Sequence, residues 1–128
     1  MTDSEIYDRG LEMRKQVLGA EHVQRSLDAA TNFSRDIQEL VTQYCWGEVW
    51  TRPGIDLKTR SAINLAMLTA LNRGHELSVH VRGALSNGMT TDEIKEILMQ
   101  TAIYCGVPAA LESFRIAEAT IREVTADA

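Results

Sequence analysis

The sequence predicts an all-α protein, and three observations carry that expectation. Only two prolines occur in 128 residues, and the glycines fall mostly at joints between apolar runs. Within those runs apolar residues recur every three or four positions, the period of one helix face. No stretch shows the strict apolar–polar alternation of a half-buried strand. At this length one domain spanning residues 1–128 is expected, compact, with about six helices and enough chain to bury a core.

The elements follow in order. Ile6, Met13 and Val17 mark one face of a first helix that stops at Gly19. A short segment, AEHVQRSLDAA, comes next. Thr31 or Asn32 can cap a third helix carrying Phe33, Ile37, Leu40, Val41 and Tyr44, ending near Gly47. Asp56 caps LKTRSAINLAMLTALNR, closed by Gly74. That helix is apolar nearly all round from Ala62 to Leu71, so it is expected to be central and buried on most sides. HELSVHVRGALSN makes the next helix, with Gly88 as its stop. Thr90 and Glu93 have the spacing of a capping box for TDEIKEILMQTAIYC, which Gly106 ends. Pro108 suits the first position of the last helix. There Ala110, Phe114, Ala117, Ile121 and Val124 form a narrow seam of the coiled-coil kind. The all-apolar helix and this seam together suggest a protein that assembles with copies of itself.

Net charge is −5, which disfavours nucleic acid as a partner. The middle of the chain runs the other way. Arg52, Lys58, Arg60, Arg73 and Arg82 face only Asp56 and Glu76 over residues 52–90, a cationic island suited to a small anion or simply to solvated helix faces. No apolar run approaches the ~18 residues of a membrane span. The polar, acidic MTDSEIYDRG does not read as a signal peptide, so a cytoplasmic location is expected. Cys45 and Cys105 are then expected to be free thiols, buried as small hydrophobes. Phosphate-binding glycine loops, dinucleotide fingerprints, HExxH and CxxC are all missing, and the histidines at 22, 75 and 80 lack metal-ligand spacing. Neither a metal nor a cofactor is expected.

The strangest stretch is CWGEVWTRPG, residues 45–54, which sets both tryptophans around one glutamate. Together with HELSVHVRGALSNGMTTDEIKEILMQTAIYCGVPAALESF, residues 75–114, it closely resembles the carboxymuconolactone decarboxylase family. The resemblance runs over nearly the whole chain, and W-G-E-V-W-x-R-P-G is its more discriminating part. It implies an alkylhydroperoxidase-D-like helical fold and a ring-like homo-oligomer, with a hexamer favoured. The thiol-dependent branch of that superfamily uses a C-x-x-C-x-x-x-H helix. Here Arg73 and Glu76 stand at the cysteine positions ahead of His80. A redox or non-catalytic relative on the same scaffold is therefore the weaker alternative.

What the resemblance implies is a cofactor-independent lyase of aromatic catabolism. Its substrate is an unsaturated five-membered lactone with one carboxylate on the ring and one on an acetate arm. The product is the enol-lactone of β-ketoadipate. The lactone carbonyl takes up the electrons left by departing CO₂, so the protein must hold a dianion, steady growing charge and return a proton. Arg60 is the first candidate for carboxylate binding, or else the partner of Glu48 or Glu76; Arg52 is the second. Glu76 and His80, four apart on a helix, can bond, either as a plain stabilising pair or so that the carboxylate fixes the imidazole that donates the proton. Tyr104 could donate to a lactone oxygen or pack in the core. Glu48 between Trp46 and Trp50 has two readings. The indoles could raise its pKa and wall off water, or an arginine could pair with it.

Overall fold

A computed structural model describes residues 1–126, and the chain divides between Asp56 and Leu57 into two compact units, the second described from Leu57 to Ala126. Among the described residues all regular structure is helical, in seven α-helices and one π-helix rather than about six helices. None of these helices is long and apolar enough to cross a membrane.

In the first unit, α1 (Asp3–Leu18) begins at a capping box absent from the sequence reading. Thr2 Oγ1 accepts from the Glu5 amide at 3.2 Å, and the Glu5 carboxylate accepts from the Thr2 amide at 3.0 Å. Gly19, at φ 93°, ends it as expected. Then come α2 (Ala20–Asp28) and α3 (Arg35–Leu40), which runs directly into a π-helix over Val41–Val49. The wider i→i+5 spacing shows where the Trp50 amide donates to the Cys45 carbonyl at 3.0 Å. Helix α1 lies along the π-helix at backbone contact. A Cβ on Gly10 would fall 2.1 Å from the Thr42 carbonyl oxygen, and one on Gly47 would fall 2.5 Å from that of Ile6. Gly47 is thus not the helix stop expected from sequence. It lies inside the π-helix because nothing larger fits against α1.

In the second unit, α4 (Leu57–Ala70), α5 (Gly74–Ser86), α6 (Thr91–Tyr104) and α7 (Val107–Ala126) close around Leu65, Leu77, Val81, Ala84, Met89, Ile94, Leu98 and Ala117. The Thr90–Glu93 capping box forms with both bonds, at 3.0 and 3.1 Å. Gly74 does not close α4. Asn72 does, in the left-handed region at φ 62°, and Gly74 is the first residue of α5.

Helix α4 is not buried on most sides. Its buried stripe is Ser61, Leu65 and Thr69, while Ile63 and Met67 are 43% and 48% exposed. The seam on α7 is spent inside its own unit, against α5 and α6, and its buried line is the small-residue set Ala110, Ser113, Ala117 and Thr120. Small polar groups stitch it there: Ser113 Oγ donates to Thr69 Oγ1 at 2.9 Å, and the Ser78 and Thr120 hydroxyls meet at 3.0 Å.

Candidate active site

In the first unit the WGEVW segment forms the last turns of the π-helix. Trp46 and Trp50, 3% and 5% exposed, stack on each other with ring centroids 4.7 Å apart and planes at 23°. Residues four apart share a helix face, whereas Glu48, two from each, faces away. Its carboxylate is exposed, as is Arg52. The indoles therefore do not enclose Glu48, and the apolar cage expected around its carboxylate is not built. They pack against each other instead.

The same unit buries a residue the sequence reading passed over. Arg14 of α1 is only 6% exposed. Its guanidinium donates to Thr42 Oγ1 at 3.1 Å and to Gln38 Oε1 at 3.0 Å, and its Nε is buried without a hydrogen-bond partner. Burial lowers the pKa of Arg14, against the neighbouring Cys45 and Tyr7. Burial likewise pushes the Cys45 thiol up, against the Arg14 charge and a hydrogen bond with Trp50. A thiol so placed is a poor nucleophile. Cys105, in the second unit, is exposed rather than buried as expected. The signal for Arg14 was its spacing: Gly10, Arg14 and Val17 step along one face of α1, a charge on the stripe that should be apolar.

In the second unit three of the polar side chains on α4 and α5 are Arg60, Asn64 and His80. Arg60 and Asn64 are four apart on α4 and share a face. Arg60 is half-buried on the first turn, its Nε enclosed. Asn64 reaches α5, where its Nδ2 lies 3.4 Å from His80 Nδ1. The neighbour of the imidazole at Nδ1 is thus an amide from the next helix. Glu76, expected in that position, is exposed one turn earlier. An amide NH₂ that donates to Nδ1 leaves the ring proton on Nε2.

Tyr104 is 80% exposed at the end of α6, so its hydroxyl is not packed in a core. It lines an open groove of about 460 Å³ with Ala66, Ile97, Gln100 and Cys105. Arg82 pairs with Glu123 and Arg73 is exposed. Structure therefore brings Asn64 to His80 across α4 and α5, sets Arg60 one turn before Asn64 on α4, and places Glu48, Arg52, Glu76 and Tyr104 at the surface.

Residues 35–119 match the sequence model of the carboxymuconolactone decarboxylase family. A 4-carboxymuconolactone decarboxylase of Acinetobacter baylyi is 41% identical over 124 residues, 97% of this chain and 92% of its own. A nitrosuccinic acid decarboxylase of Metarhizium robertsii is 42% identical over 119 residues, 93% of this chain and 83% of its own. A 4-carboxymuconolactone decarboxylase of Pseudomonas putida is 35% identical over 48 residues, 38% of this chain and all of its own.

Proposed function

We propose that this chain, which belongs to the carboxymuconolactone decarboxylase family, is a cytoplasmic carboxy-lyase that converts 4-carboxymuconolactone to the enol-lactone of β-ketoadipate without a cofactor. The observation that carries the site is the Asn64–His80 contact between α4 and α5, with the half-buried Arg60 one turn before Asn64 on α4.

The chemistry divides among them. The bond from the ring carbon to its carboxylate breaks, and its electron pair forms a ring double bond. The existing double bond shifts toward the lactone carbonyl, whose oxygen gains the charge. A proton then goes to the carbon beside that carbonyl. Arg60 grips the acetate-arm carboxylate, which keeps its charge throughout. Gripping the departing carboxylate would stabilise the ground state most and slow the reaction. A forked guanidinium fixes that arm in direction as well as place. His80, with Asn64 at Nδ1, carries its proton on Nε2 and delivers it to carbon. Glu48, Arg52, Trp46, Trp50, Glu76 and Tyr104 are the further candidates, each open to the same substitution test.

A homo-oligomer, with a hexamer favoured, is part of this proposal. Ile63, Met67, Ile103 and Leu111 stand exposed in the second unit, apolar side chains that contact with another copy would cover.

One observation favours a second substrate class. The nitrosuccinic acid decarboxylase is as similar to this chain as the A. baylyi lactone decarboxylase. Nitrosuccinate is also a dicarboxylate, and its nitro group can take up the electron pair left by CO₂. The test is CO₂ release from each compound, with loss of the lactone's ultraviolet absorption followed in parallel. Faster turnover of the lactone is expected. Release from nitrosuccinate alone, or from neither, overturns the assignment.

A further inference from the structure

The α-to-π change at residue 41 needs a cause, because π-helices are rare and mark functional segments. Within the first unit the only buried charge sits at that junction. One arm of the Arg14 guanidinium holds Gln38, in α3, and the other holds Thr42, in the first turn of the π-helix. Thr42 Oγ1 in turn donates to the Gln38 carbonyl at 2.8 Å, so one hydroxyl closes the loop across the change of pitch. Among the described residues this guanidinium has no carboxylate partner. A buried cation held only by neutral groups is destabilising compared with an apolar side chain of similar size. Helix α1 also meets the π-helix with no side chain between them at Gly10 and Gly47, so α1 holds the segment at two points.

We propose that Arg14 is a positioning residue for the decarboxylation. It clamps residues 38 and 42 so that 41–49 stay π-helical, with Trp46 and Trp50 stacked and Glu48 turned outward. Without the clamp the segment relaxes toward α-helical pitch, and every side chain after residue 41 turns away from its present direction. This inference rests on the reading of the chain as a decarboxylase and on Glu48, Trp46 or Trp50, still candidates there, having a part in its chemistry. The clamp itself can be read without that chemistry.

The test uses Arg14→Lys, which keeps the charge and loses the fork. It also uses Thr42→Val, which keeps the shape and loses the acceptor. Each is checked for cooperative melting. Two stacked indoles give a paired circular-dichroism band that reports their geometry directly. In folded variants this band is expected to collapse, and kcat for 4-carboxymuconolactone to fall about tenfold or more. KM, set by Arg60 in the other unit, changes far less. A folded variant that keeps the paired band overturns the clamp, whatever its activity. A folded variant that loses the band yet keeps its kcat overturns the positioning role. Should Arg14→Lys not fold, Thr42→Val decides by the same two readings. If the wild-type protein does not turn over the lactone, the proposed function fails. The band then still decides the clamp: its collapse in the variants supports the clamp, and its survival overturns it.

Discussion

The two units achieve order by different physics. Leu57–Ala128 is held by apolar volume: Leu65, Leu77, Val81, Ile94 and Leu98 are each at most 1% exposed, and hydroxyl pairs only trim the helix contacts. Met1–Asp56 buries few large aliphatic side chains. Its order comes from two glycines that bring backbones together, a stacked tryptophan pair and a buried arginine bonded to neutral groups. The first kind of order tolerates change if volume is kept. The second depends on particular atoms and is fitted to holding one unusual helix.

That contrast sets opposite penalties for a change in size. In the second unit removing atoms is what hurts. Leu65→Ala empties a fully buried site and should cost about 3–4 kcal/mol by denaturant unfolding. A loss below about 1 kcal/mol would show the core able to collapse into the gap. In the first unit adding atoms is what hurts. Gly10→Ala places a methyl group against the Thr42 carbonyl, which is backbone and cannot step aside, and should cost about 2–3 kcal/mol. Melting like wild type would mean that α1 and the π-helix have slack.

The chemistry can be separated from both. Arg60→Lys keeps charge on α4 but not the fork, so kcat/KM should fall about tenfold, equivalent to ~1.4 kcal/mol, with the melting curve little changed. Unchanged kinetics would leave Arg60 a structural residue.

The smallest expected effect is that of acid. A hydrogen bond from Lys58, then one from the Thr90 amide, hold the Glu93 carboxyl below the usual carboxylate range. A folded-state pKa lowered in this way stabilises the protein above that range. The stabilisation is lost as pH falls through the lowered folded value, below the usual carboxylate range. Glu93→Gln should flatten the fall in melting temperature between pH 6 and pH 3; an unchanged slope would remove this group from the acid response.

How much was legible in the sequence follows the same division. Helix α6 could be read whole, because Thr90, Glu93 and Gly106 are local signals with local causes. The core side of α4 was overestimated, because composition counts apolar residues and cannot say how many faces have neighbours. The π-helix was invisible: over nine residues its period cannot be told from that of an α-helix, and what holds it is Arg14, 24 or more positions away. The expected enclosure of Glu48 by the indoles failed for the same reason, since pitch decides where a side chain points. Arg60 could be picked out as a charge entering an apolar helix and His80 by spacing and resemblance, but Asn64, which meets His80, carries no signal until α4 and α5 are laid together.

The central claim is that a lactone supplies its own electron sink and the protein returns the proton through His80. Turnover of 4-carboxymuconolactone in deuterium oxide tests it most directly. The account predicts one deuterium per product, on one face of the ring carbon beside the carbonyl. It also predicts that His80→Gln, folded as wild type, loses both rate, about a hundredfold, and facial selectivity. Product deuterated equally on both faces by the wild-type protein, or a His80→Gln variant with unchanged rate and selectivity, would contradict it.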